Sequence, residues 1–439
     1  MRKKWILLFG LVASLLLNGC AMVTVDRMYA VPRRSAEYQS LQRAVDRVLA
    51  GAEYCAPLSG ENRQTVQMAD LNGDGRDEYL LFARSDGDNP LKIYIFSREG
   101  EDYTLRHTLE NQGAGFEQVE YVDLDGLPGQ ELVVGRQVSD QVLRSLSVYS
   151  FAEADARLLM TVHYDKFVTA DLDADDRTDL LILSPGDSEE RNGVATLYRY
   201  EDGTMARSRQ AVLSAGCENI KRIMVSRLHG QVPAVYVASS QEGSAIITDV
   251  FAMKNGTFTN VSLSNESGTS VQTLRNHYIY AMDMDADGAL ELPALIPMQS
   301  MTDQPGTGPQ HLIRWYTMTV DGEEVDKVHT FHTFDGGWYL ILEREWADRV
   351  TVTRSGDTYT FYVWDLEFAK TEKLLTVTGL AGSDWDGEYS PDPGFWVLKT
   401  DTLSYAVKLE TAALSYGLNE ENLQSAFHLI RMDWKTGET

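Results

Sequence analysis

Cysteine is scarce. Three cysteines in 439 residues cannot build a disulfide framework, so the fold must rest on packed interior surface. Basic residues are in deficit too: 39 Lys and Arg stand against 65 Asp and Glu, a formal net charge of -26. Such an excess repels phosphate backbones, which excludes nucleic acid as an expected partner. Beyond Cys20, no stretch approaches the roughly eighteen consecutive apolar residues of a membrane-crossing helix. Gly-x-Ser-x-Gly, His-Glu-x-x-His, P-loop and dinucleotide-binding patterns are absent as well, so the chain is expected not to be an enzyme. What it does hold is core material, 43% hydrophobic and 10% aromatic residues, in a length that implies a repeat array or two to three domains.

One apolar run opens the chain. Arg2, Lys3 and Lys4 precede Trp5 to Leu17, a run with the length of a signal-peptide core and too short to span a bilayer. It ends in Leu17-Asn18-Gly19-Cys20, which resembles the bacterial lipobox, whose cysteine is acylated and becomes the mature N-terminus. Residues 1–19 are therefore expected to be a lipoprotein signal and Cys20 the lipidation site. The remainder is expected to be extracytoplasmic, held at the cell membrane by its acyl chains at about 0.8 kcal/mol per buried methylene. Residues 20–34, with Pro32-Arg33-Arg34, lack periodicity and read as a tether. From Ser35 onward, Tyr38, Leu41, Val45, Val48 and Leu49 recur at helical steps, predicting a short amphipathic helix within residues 35–62.

An internal repeat follows. Asp70-Leu-Asn72-Gly-Asp74-Gly-Arg76-Asp-Glu78, Asp123-Leu-Asp125-Gly-Leu127-Pro-Gly-Gln-Glu131, Asp171-Leu-Asp173-Ala-Asp175-Asp-Arg177-Thr-Asp179 and Asp283-Met-Asp285-Ala-Asp287-Gly-Ala289-Leu-Glu291 share one frame. A degenerate copy without acidic residues, Val225 to Val235, fits between the last two, and the spacings are then 53, 48, 56 and 56 residues. Each loop is preceded by a short alternating stretch, such as Val66 to Ala69 or Tyr278 to Met282. Each is followed by a solid apolar run such as Leu180-Leu-Ile-Leu183, then a second alternating run, a turn such as Asp202-Gly203 or Asn255-Gly256, and a last strand. Four strands in about 50 residues is the size of a propeller blade.

The loop chemistry points to calcium, a hard cation that takes six to eight oxygen ligands at about 2.3–2.6 Å. Alternate carboxylates at positions 1, 3 and 5 face inward: Asp70, Asn72, Asp74; Asp171, Asp173, Asp175; Asp283, Asp285, Asp287. Position 7 (Arg76, Arg177, Ala289) would offer a backbone carbonyl and position 9 (Glu78, Asp179, Glu291) a carboxylate. The Asp123, Asp125 and Glu131 frame is weaker because Leu127 replaces position 5, and it is expected to be empty or weakly filled. An EF-hand would need a bidentate Glu at position 12, where Leu81, Ile182 and Ala294 stand, so that reading fails. The pattern instead resembles the FG-GAP/VCBS repeats of integrin-α-like β-propellers, over residues 63–333. The Phe-Gly and Gly-Ala-Pro signature of the first of those families is missing. The resemblance implies about three structural calcium sites.

The expected architecture is thus mainly β, a propeller of about five four-stranded blades, some degenerate. A short helix precedes it. Seven of eight tryptophans lie from Trp315 onward, and residues 334–439 are expected to form a small separate α+β domain with a helix from Asn419 to Phe427. Cys55 and Cys217 are expected to remain free thiols. His329 and His332 have a metal-ligand spacing, but three apart on a strand they face opposite sides. The Asp384 to Tyr389 segment with Trp396 reads as core packing more readily than as a sugar-stacking platform. Three functional classes follow: a membrane-tethered scaffold that binds a protein or glycan partner, which is preferred; a glycan-degrading lyase or hydrolase; and an envelope assembly factor.

Overall fold

In the computed structural model, the described residues are 36–430 apart from 101, 139–142, 187–191, 299–310, 334–335, 366–369, 382–393 and 401–402. The signal, Cys20, the tether and the Asp384 to Tyr389 segment lie outside them. Helix α1 (Ala36–Leu49) forms where the apolar periodicity places it. Its Leu41, Ala44, Val45, Val48 and Leu49 pack on Leu81 and Phe96, while Tyr38 is exposed. The Ser40 hydroxyl donates to Asp102 at 2.9 Å and accepts the Tyr103 N–H at 3.1 Å, fixing the helix to the first sheet.

The rest is mainly β, arranged as antiparallel sheets in chain order. The first holds β1 (Ala52–Tyr54), β2 (Val66–Ala69), β3 (Glu78–Ser85), β4 (Leu91–Glu99) and β5 (Asp102–Asn111), with both β1 and β2 on β3. The second is the meander β6 (Gly115–Val122), β7 (Glu131–Gln137), β8 (Arg144–Ser150) and β9 (Arg157–Tyr164). The third repeats it as β10 (Lys166–Ala170), β11 (Asp179–Pro185), β12 (Gly193–Glu201) and β13 (Thr204–Val212). The fourth is β14 (Ile220–Arg227), β15 (Pro233–Ser240), β16 (Ile246–Lys254) and β17 (Thr257–Asn260). The expected turns close tight hairpins: Glu201 pairs with Thr204 and Lys254 with Thr257, and Asp202 and Asn255 both sit at φ 48.

The fifth sheet runs β18 (Leu292–Pro297), β19 (His311–Met318), β20 (Glu324–Thr333) and β21 (Trp338–Leu342). Helix α2 (Arg344–Ala347) leads to a sixth, whose strands β22 (Val350–Ser355), β23 (Thr358–Asp365), β24 (Lys370–Ala381), β25 (Phe395–Lys399) and β26 (Leu403–Leu409) are ordered with β26 between β24 and β25. Helix α3 (Glu420–Ala426) is capped by Asn419, whose side chain accepts the Asn422 N–H at 3.0 Å, and β27 (Phe427–Leu429) then returns to pair with β21.

The solid apolar runs exist because each inner sheet is buried on both faces. Leu80 and Phe82 meet Phe116, Leu132 and Val134, whereas Val133 faces Leu180 and Ile182. Leu181 and Leu183 then meet Val235 and Val237, and Tyr236 meets Leu292 and Tyr316. The far face of the first sheet is covered by α1. No buried cluster joins the first and sixth sheets among the described residues, so ring closure is not part of the observed packing.

Two expectations fare differently. The strand predicted from Tyr278 to Met282 is reduced to a single bridge between Met282 and Glu291, although Ile279 and Tyr280 are fully buried. The expected boundary at residue 334 falls between β20 and β21, which are hydrogen-bonded neighbours. One core runs from Leu312, Phe331 and Trp338 to Trp346, Phe361 and Leu375, so the tryptophan-rich segment shares its interior with the fifth sheet.

Candidate metal centres

The first three acidic loops lead into β3, β7 and β11, which their position-9 carboxylates open, and the fourth leads into β18, the first strand of its sheet, with Glu291 just before it in the bridge to Met282. These carboxylates are buried: Glu78, Glu131, Asp179 and Glu291 are each at most 6% exposed. One of its oxygens accepts the N–H of position 2: Leu71 at 3.0 Å, Leu124 at 2.9 Å, Leu172 at 3.2 Å and Met284 at 2.7 Å. The Asp at position 1 in turn accepts loop N–H groups, such as Gly126 on Asp123 at 2.8 Å and Gly288 on Asp283 at 3.0 Å. The frame therefore folds the loop back on itself, which gathers like charges at one point.

Three trios of carboxylates converge there, each residue offering one oxygen within 4.8 Å of the others: Asp123, Asp125, Glu131; Asp171, Asp173, Asp179; and Asp283, Asp285, Glu291. These are positions 1, 3 and 9. Position 5 lies aside, Asp175 pairing with Arg177 at 2.6 Å and Asp287 with Lys327. At position 7, Arg76, Arg177 and Ala289 donate their N–H groups to the position-5 carboxylates. Leu127 thus costs the second loop only position 5, and the frame expected to be weak keeps its trio. In the first loop Asn72 replaces a carboxylate. Its amide donates to Glu78 at 3.0 Å and its carbonyl accepts the Asp74 N–H at 2.9 Å, closing Asp70 to Glu78 with internal bonds.

Burial sets the electrostatics. It pushes the carboxyls of Glu131 and Glu291 up to about 7, and raises Glu78 and Asp179 as well. Glu291 is completely buried, and its Oε1 has no hydrogen-bond partner. A buried carboxylate oxygen without a donor is costly unless a proton or a metal cation sits against it. The trios can hold a metal ion, and their all-oxygen donors are compatible with calcium.

The sequence frame does not contain the residues that differentiate the loops. Ser97 on β4 donates to Glu78 at 3.2 Å, and Ser150 on β8 to Asp125 at 3.4 Å. On β12 the corresponding residue is Arg199, 2.7 Å from Asp179 and 2.9 Å from Asp173. Lys327, skipped by the β19–β20 pairing, bridges Asp285, at 3.0 Å, and Asp287. Only sheet register brings these cations to the acids, so no local motif could have announced them.

Neighbouring loops also touch. The Thr178 N–H donates to the Asp123 carbonyl at 2.9 Å, and Gln231 of the degenerate copy donates to the Asp287 carbonyl at 3.3 Å. The copy without acids therefore keeps the loop's place in the row. His329 and His332 are both buried in β20; His332 lies against Tyr339 and Trp315, and burial pushes its imidazole down to about 3. Cys55 and Cys217 are free.

No protein-family model matches the chain, and no curated protein does. Among solved structures, it is similar to the exotype rhamnogalacturonan lyase YesX, with 13% identity over 73% of this chain and 68% of that one, at a TM-score of 0.28. A protein from Lactobacillus plantarum matches at 11% identity over 73% and 86%, TM-score 0.27. The Bacillus licheniformis rhamnogalacturonan lyase PL11 matches at 11% over 81% and 85%, TM-score 0.29. A likeness this loose carries no argument about fold or activity.

Proposed function

We propose that the chain is a lipid-anchored, extracytoplasmic binding module, a propeller-like stack of sheets whose acidic loops hold calcium. The observation that carries the calcium reading is Glu291, a fully buried carboxylate in a trio with Asp283 and Asp285 whose second oxygen lacks a donor. Calcium there would supply the missing charge and fix the loop against its sheet. At ~1 mM calcium and a Kd near 10⁻⁴ M, each site adds roughly 1.4 kcal/mol, and three add about 4. The lipid anchor at Cys20 rests on the basic, apolar and Leu17-to-Cys20 segments of the sequence.

Thermal unfolding of the full chain with calcium and with excess chelator tests the metal. A calcium-dependent rise of several degrees is expected, reduced in Glu291→Gln and in Glu131→Gln. An unchanged melting temperature with no retained metal would leave the loops as acidic turns. Acyl labelling that is lost in Cys20→Ser tests the anchor.

A further inference from the structure

We propose that the chain binds a small organic polyanion in a cavity walled by the edge strands of three successive sheets. The cavity has a volume of about 790 Å³ and is lined from β6, β10 and β14. Each of these is the terminal strand of its sheet; on β6 the Phe116, Glu117 and Val119 carbonyls accept hydrogen bonds from Leu58, Ser59 and Asn62, whereas β10 and β14 each keep one side of the backbone outside any ladder. The same strands bring three cations to the lining, Lys166, Lys221 and Arg222, against one carboxylate, Glu120.

That carboxylate is already engaged. Gln118 donates to it at 2.5 Å and Thr169 at 2.6 Å, the second bond tying β10 to β6 across the gap. Lys166 and Lys221 form no salt bridge with another described residue, although Asp165 lies close enough to Lys166 to feel its charge. Arg222 lies with its guanidinium carbon 4.1 Å from the centroid of the Tyr280 ring, a cation–π contact. In a chain of net charge -26, a cavity with this cation excess reverses the average sign of the molecule. Long-range repulsion by the acidic surface is damped within about 8 Å at physiological salt, so the local cations decide what enters. Val168, Ile223 and Met224 add half-buried aliphatic wall, which suits a ligand with an organic body between its anionic groups. The inference rests on the binding-module reading and gives the ligand its charge; it does not depend on calcium.

The test is calorimetric titration of the full chain, in detergent and calcium-containing buffer, with sucrose octasulfate, tricarballylate and sucrose. The first two separate sulfate-type from carboxylate ligands, and the third removes the charge. At least one anion should bind and sucrose should not. Affinity should fall at least about tenfold in Lys166→Gln/Lys221→Gln and in Arg222→Gln, with Lys254→Gln, a cation outside the cavity, unchanged. In the unmodified chain, affinity should weaken as salt rises, which reads the same charges without a variant that has to fold. Failure of both anions to bind, equal binding of sucrose, salt-insensitive affinity or equal weakening in Lys254→Gln would each overturn the proposal. Calcium-dependent melting is measured on the same preparations, so loss of that effect with anion binding intact counts against calcium alone.

Discussion

Arg199 decides what the third acidic loop can hold. Its guanidinium reaches both Asp173 and Asp179 and balances part of the trio's charge, whereas Ser150 stands at the equivalent place beside the second loop. A divalent ion has to displace a cation at the third loop but not at the second. Arg199→Ser is expected to tighten calcium binding at the third loop by about tenfold, and Ser150→Arg to weaken it at the second by a similar factor; calorimetric stoichiometry and affinity check both. His332 contributes to the response to acid with a sign opposite to that of the raised Glu131 and Glu291 carboxyls, which take up protons first in the folded chain. The His332 imidazole is held down to about 3 by burial, so between the ordinary value of 6.5 and 3 the unfolded chain takes the proton first. Its contribution to stability is complete above about pH 6.5 and is lost on acidification, reaching roughly 4 kcal/mol near pH 3. His332→Phe should flatten the melting temperature against pH in that window.

At the scale of elements, the row of loops is held by close backbone approach. Gly129, at φ +108, leaves room for the Leu71 carbonyl; a Cβ there would stand 2.4 Å from that oxygen. Gly129→Ala should therefore separate the first two loops and cost about 2 kcal/mol in urea unfolding. The loops themselves were legible because their acidic residues fall within nine consecutive positions, and the strands because Leu180-Leu-Ile-Leu183 and its counterparts are bounded by turn residues. α1 and α3 were legible from periodicity and from Asn419. Arg199 and Lys327 were not, since they reach the acids across a sheet whose register no local pattern states. Tryptophan enrichment and the end of the acidic-loop frame after Glu291 point to a boundary at residue 334, yet Trp338 and Trp346 fill the space between the fifth and sixth sheets. Composition reports a change of packing there, while the hydrogen-bond ladder runs through it.

Across the whole molecule the two thiols report on integrity. Cys217 is buried and its thiol is pushed up to about 12, while Cys55 is half-buried. Alkylation followed by mass spectrometry should modify Cys55 first and Cys217 only on unfolding, at a rate set by opening of the sheet stack. The order in which that stack can be assembled is written in its connectivity. The second, third and fourth sheets are each complete once their own stretch of chain has been made. The fifth is not: β21 waits for β27, and Trp338 waits for Phe427, whose ring lies 5.2 Å away. A nascent chain therefore carries an open β21 edge, and a Trp338 indole that has Phe331, Tyr359 and Tyr405 but not yet Phe427, through the synthesis of nearly ninety further residues, until Leu429 arrives. Chaperones and proteases that read open strand edges and exposed aromatic surface would distinguish a chain in which β27 has docked from one in which it has not.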